Sequence, residues 1–61
     1  MKNIRMKVAR VAKVISQEQL AQMIGVSRQT ITSVEAGNYH PTLNLCIAIC
    51  TALGKTLDEL F

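Results

Sequence analysis

Aromatic residues are scarce: Tyr39 and Phe61 make up the whole 3% aromatic content, and tryptophan is absent. Single-strand binding by base stacking needs aromatic platforms, so this composition argues against it. It argues equally against an aromatic-lined ligand pocket. Histidine occurs once, at His40, and no carboxylate cluster accompanies the thiols, so no metal site is expected. No apolar run is long enough to span a bilayer. The N-terminus lacks the continuous apolar core of a signal peptide. Cys46 and Cys50 stand one helical turn apart in an unbroken apolar stretch, a spacing that rarely reaches disulfide geometry. They read as small, reduced core residues of a cytoplasmic protein. There is also no acid/base pair, nucleophile–base set or phosphate-binding glycine loop. No enzyme and no cofactor is expected.

What remains is a chain of 61 residues with a formal net charge of +3. That length fits one domain, residues 1–61, and a domain so short buries a modest share of its surface. Its stability must come from efficient helix packing or from a partner subunit. The positive charge suits a polyanion but is weak evidence for one.

Start and stop signals divide the chain into five short helices, an all-α fold. Asn3 to Val14 favours helix through Ala9, Arg10, Ala12 and Lys13, although Ile4, Met6 and Val8 alternate with charge, and the first residues could be extended. Ser16 opens a capping box with Gln19, and Gly25 stops that helix. Ser27 caps the next, Arg28 to Ala36, whose buried side carries Ile31 and Val34. Gly37 ends it, and Asn38 to Pro41 form a loop. Thr42 caps a fourth helix with an inward stripe of Leu43, Cys46, Ile49, Cys50 and Leu53. Gly54 ends it, and Thr56 with Glu59 forms a capping box for a last turn carrying Leu57, Leu60 and Phe61.

The functional unit is Gln17 to Ala36: two helices joined by Gly25-Val26-Ser27, a short glycine-containing turn that suits a steep crossing. Packing explains Ala21, Val26 and Ile31. It does not explain Arg28, Gln29, Thr32 and Ser33, which would face outward. Arg can donate twice to guanine, Gln can donate to and accept from adenine, and the Thr methyl can touch thymine. No carboxylate is expected on this surface at the helix start.

Three segments carry a family resemblance: Ser16-Gln17-Glu18-Gln19-Leu20-Ala21, Ile24-Gly25-Val26-Ser27-Arg28-Gln29-Thr30-Ile31, and Glu35-Ala36-Gly37-Asn38-Tyr39-His40-Pro41. With the ending Ala52 to Phe61, they resemble the Cro/repressor (Xre) helix-turn-helix family over nearly the whole chain. The resemblance implies a compact five-helix lambda-repressor-like domain, a transcriptional regulator that binds double-stranded operator DNA, usually as a homodimer. By position, Arg28, Gln29 and Ser33 would read base edges, with Thr32 at the margin. Gln17 would touch a phosphate and buttress Gln29. Ser27 and Thr30 would contact the DNA backbone or cap the helix, and Asn38 and Tyr39 would lie near phosphates. The amides at Thr42 and Leu43 would form an anion site. Arg10 would pair with Glu35 as a structural tie.

The chain departs from the family pattern at several positions. Val14 stands where glycine often ends the first helix, and Ala36 and Asn38 replace residues that are often Asn and Lys. Ile4, Val8 and Val11 add a second apolar stripe to the first helix. With Leu60 and Phe61 it forms a candidate dimer or partner face, since apolar patches beyond one small core usually mark association. Two readings follow: a homodimeric repressor reading a pseudo-palindromic operator, and an antitoxin-like or anti-regulator module that engages a second protein through that stripe.

Overall fold

Each helix opens on a short polar side chain that accepts a backbone N–H. The computed structural model describes residues 2–61. Among these it places α1 at Ile4–Ala12, α2 at Gln17–Ile24, α3 at Arg28–Ala36, α4 at Leu43–Leu53 and α5 at Leu57–Leu60, with no strand. The N-caps are Asn3, Ser16, Ser27, Thr42 and Thr56, and Ser16 and Thr56 complete reciprocal capping boxes with Gln19 and Glu59. Each such cap contributes about 1 kcal/mol by satisfying N–H groups that have no partner within the helix.

The α1 residues are helical from Ile4 onward, so the alternating start is not extended. Asn3 is what fixes it. Its side chain accepts from the Met6 N–H at 3.0 Å, and its amide donates to the Leu60 carbonyl at 3.0 Å. Its own N–H donates to the Glu35 carbonyl at 2.9 Å. One residue therefore joins the start of α1 to the ends of α3 and α5.

Two residues that follow helices show what backbone strain costs. Gly25 ends α2 at φ 75°, and a Cβ built there would meet nothing within 4 Å. Glycine is needed at Gly25 for its backbone conformation, not for space. Val14, after α1, also adopts a left-handed conformation, at φ 57°. A β-branched side chain pays a steric penalty there. Val14 is 88% exposed, so its side chain recovers almost nothing by packing.

The core gathers Met6 and Ala9 of α1, Leu20 and Ala21 of α2, Ile31 and Val34 of α3, Ile49, Cys50 and Leu53 of α4, and Leu60 of α5. Ile15, Ile24, Val26, Leu45 and Ala52 pack against it. Ala21 gives α2 and α3 room to approach, and the Val26 N–H closes on the Ala21 carbonyl at 3.0 Å. Burying a side chain the size of Leu20 contributes roughly 2–3 kcal/mol.

Two assignments are corrected here. Leu43 belongs to the outside of α4, 65% exposed, while Leu45 takes the inner position. Leu60, placed by the sequence on an association face, is a core residue at 3% exposure. The short α5 turns it inward because Asn3 holds its carbonyl against the start of α1.

Candidate nucleic-acid interface

The turn between α2 and α3 is built by two caps in series. Gly25 releases α2, and the Ser27 hydroxyl accepts the Thr30 N–H at 3.2 Å to start α3. The Ser27 and Thr30 hydroxyls lie 2.9 Å apart and share a further hydrogen bond. Ile31 and Val34 are buried, and their helical period leaves Arg28, Gln29 and Thr32 exposed and Ser33 half-buried. These four side chains and Gln17 line one open depression of about 680 Å³. Arg28 also borders a neighbouring depression with Ser16, Gln17 and Glu18. Glu18 belongs to that neighbouring depression and is not among the residues that line the one formed by Arg28, Gln29, Thr32 and Ser33.

A hydrogen-bonded chain runs from the interior to this surface. Arg10 Nε donates to Glu35 Oε2 at 2.7 Å and Arg10 Nη2 to Glu35 Oε1 at 3.3 Å. Arg10 Nη1 donates to the Ile15 carbonyl at 2.7 Å. Both side chains are at least nine-tenths buried. Glu35 Oε1 also accepts from the Gln17 amide at 3.3 Å, and Gln17 Oε1 accepts from the Thr32 hydroxyl at 2.9 Å. Gln17 therefore braces Thr32 and Glu35 rather than Gln29. With its proton directed at Gln17, Thr32 offers an outside partner only its methyl and its lone pairs.

Beyond α3, the Asn38 N–H is used on the Ser33 carbonyl at 3.0 Å, which leaves the Asn38 and Tyr39 side chains exposed. Thr42 spends its hydroxyl on the Leu45 N–H at 3.2 Å. The two thiols are free. Burial pushes both above the ordinary thiol range, Cys50 further through the nearby Cys46 and Glu59. Thiolate, the reactive form, is therefore scarce, which suits packing rather than redox chemistry. No group of three or more His, Cys, Asp or Glu residues that could hold a metal occurs among the described residues. No helix among them is long and apolar enough to cross a membrane.

An amphipathic helix pair with a glycine turn and an outward polar second helix defines a DNA-binding helix-turn-helix protein. A family model described as helix-turn-helix matches residues 6–60, and the chain belongs to that family, the Cro/Xre-like transcriptional regulators. An uncharacterized HTH-type transcriptional regulator of Methanocaldococcus jannaschii is 41% identical over 61 residues, covering 100% of this chain and 91% of its own. The uncharacterized regulator YgzD of Bacillus subtilis is 41% identical over 46 residues, covering 75% of this chain and 70% of its own. The crystal structure of the restriction-modification controller protein C.AhdI from Aeromonas hydrophila superposes with a TM-score of 0.87 at 37% identity, over 93% of this chain and 86% of that one. A hypothetical transcription factor from Neisseria, NHTF, gives 0.85 at 33% identity, over 90% of this chain and 62% of that one. The chain is a DNA-binding transcriptional regulator of a non-enzymatic family.

Proposed function

We propose that the chain is a homodimeric repressor, acting in the cytoplasm on a pseudo-palindromic operator. Two copies of α3 enter successive major grooves about 34 Å apart. Arg28, Gln29 and Ser33 read base edges, and the Thr32 methyl lies at the margin against thymine. Gln17, Ser27, Thr30, Asn38, Tyr39 and the N-terminus of α4 at Thr42 meet the sugar–phosphate backbone. The observation that carries this reading is the shared depression of Gln17 on α2 with Arg28, Gln29, Thr32 and Ser33 on α3, hydrogen-bonding side chains on a helix that Gln17 braces through Thr32.

The homodimer forms through the outer face of α4. That helix carries no charged residue, yet Leu43 and Ile47 are 65% and 45% exposed beside Asn44 and Thr51. A two-fold contact sets a surface against itself, and an uncharged surface does so without like-charge repulsion. Leu43→Glu and Ile47→Glu should raise the dimer dissociation constant at least tenfold in analytical ultracentrifugation. Unchanged sedimentation in both variants would move the interface elsewhere.

A further inference from the structure

The apolar stripe of α1 and its surroundings are not absorbed by DNA reading. Helical rotation of 100° per residue places Ile4, Val8, Val11 and Ala12 on the pole opposite Met6 and Arg10, with Arg5 on one flank and Lys7 on the other. The exposures agree: Ile4 is 65%, Val8 60% and Val11 55% exposed, while Met6 is fully buried. Ile4, Val8 and Ala12 of this stripe, with Arg5 and Ala9, form one wall of an open groove of about 310 Å³ whose other wall is Lys55, Glu59 and Leu60; Val11 continues the stripe outside it. Phe61, 44% exposed, extends the apolar surface past Ile4 and Arg5.

The charges around this groove are lopsided. Helix α1 contains no acidic residue, and Arg10 is consumed by Glu35. Arg5 and Lys55 line the groove, Lys7 flanks the stripe on its other side, and the Lys13 ammonium lies over Gly54, next to Lys55. Against these four cations stand two carboxylates, Asp58 and Glu59, both on α5, and Glu59 is engaged by Lys55 at 3.9 Å. A second copy of this face would add the same excess of cations over carboxylates to the contact. A partner with apolar residues flanked by carboxylates would meet both features at once.

We propose that the α1–α5 groove docks an amphipathic helix of another protein, one whose apolar stripe is flanked by acidic residues. Its aliphatic side chains at i, i+3 or i+4, and i+7 lie along Ile4, Val8 and Val11, and its carboxylates face Arg5, Lys7 and Lys55. The apolar centre of the face favours a protein over nucleic-acid phosphates, which need no aliphatic stripe. The groove lies apart from Arg28, Gln29 and Ser33, so a regulator docked on DNA can hold this partner at the promoter.

The test uses the full chain and two synthetic amphipathic peptides of about 18 residues with the same leucine stripe, one flanked by glutamates and one by lysines. By NMR titration, the glutamate peptide should perturb the amides of Ile4, Val8, Val11 and Lys55, and should bind at least tenfold more tightly than the lysine peptide. The doubly substituted Arg5→Glu, Lys7→Glu chain should reverse that preference. Val8→Glu should abolish binding of the glutamate peptide while leaving DNA affinity unchanged, which separates this proposal from the operator reading. Perturbations confined to other surfaces, equal affinity for the two peptides, or perturbation of α1 only by duplex DNA or by anionic phosphatidylglycerol vesicles would overturn it.

Discussion

The outward faces of α3 and α1 are opposite in chemistry. Helix α3 presents hydrogen-bonding side chains of mixed length, with Arg28 as the cation among them. Helix α1 presents aliphatic side chains between two cations. The chain has seven Lys and Arg residues. Lys2, Arg5, Lys7 and Lys13 lie on or just beside α1, Arg10 is held by Glu35, and Lys55 is near Glu59. Arg28 is the cation that lines the depression of the base-reading candidates. Most of the positive charge therefore belongs to residues on or beside α1 rather than to α3. Overall charge and the candidate base-reading surface of α3 are separate properties in this molecule.

The largest effect should come from cutting the tie between the two helices. Arg10→Met leaves the Glu35 carboxylate buried without its cation, at a cost of about 3–5 kcal/mol. A domain of this size has little more stability than that. Urea denaturation should show Arg10→Met mostly unfolded, and Arg10→Met combined with Glu35→Met partly recovered. A single variant as stable as the parent would mean that the tie contributes nothing.

Next in size are the effects on recognition. Arg28→Ala and Gln29→Ala should each remove roughly 1–3 kcal/mol of discrimination at one base pair, with the fold intact by circular dichroism. Affinity should also fall only gently with salt. With one or two cations per subunit near phosphates, the slope of log K against log salt should be about −2 to −4 for a dimer. A much steeper slope would bring the α1 cations into the DNA contact and erase the contrast between the faces.

Smaller still is the release of strain at Val14. Val14→Gly should stabilise the fold by about 1 kcal/mol, because the left-handed backbone suits glycine and the exposed valine loses little packing. The midpoint of thermal unfolding reads this directly. The smallest effect concerns acid. The Thr56 N–H donates to the Glu59 carboxylate at 2.9 Å, which holds Glu59 below the usual carboxylate range. A depressed folded pKa adds stability above the unfolded value, and that stability is lost as pH falls through the folded one. Glu59→Gln keeps the capping box and should flatten that part of the stability–pH curve.

The local parts of this structure were legible in the residues. Ser16 with Gln19, Thr56 with Glu59, and Gly25, Gly37 and Gly54 act within one helical turn, so spacing alone exposes them. Leu43 was misread because α4 is apolar nearly all round and its inward side is poorly marked by periodicity. Asn3 and Leu60 escaped because their contact joins positions 57 apart. The amide of Gln17 could be assigned to the surface from its place on α2, but not to Thr32 and Glu35, which lie 15 and 18 positions away. Asparagine just ahead of Ile4 was a helix-start signal in plain view.

Selection of binding sites from a random duplex pool, run in parallel on the parent chain and on Arg28→Ala and Gln29→Ala, decides whether α3 reads DNA. The parent should enrich a pseudo-palindrome with half-sites about one helical turn apart. Each variant should relax the preference at its own base pair in both half-sites. An unchanged preference in both variants, or no enriched sequence from the parent, would contradict base reading by Arg28 and Gln29.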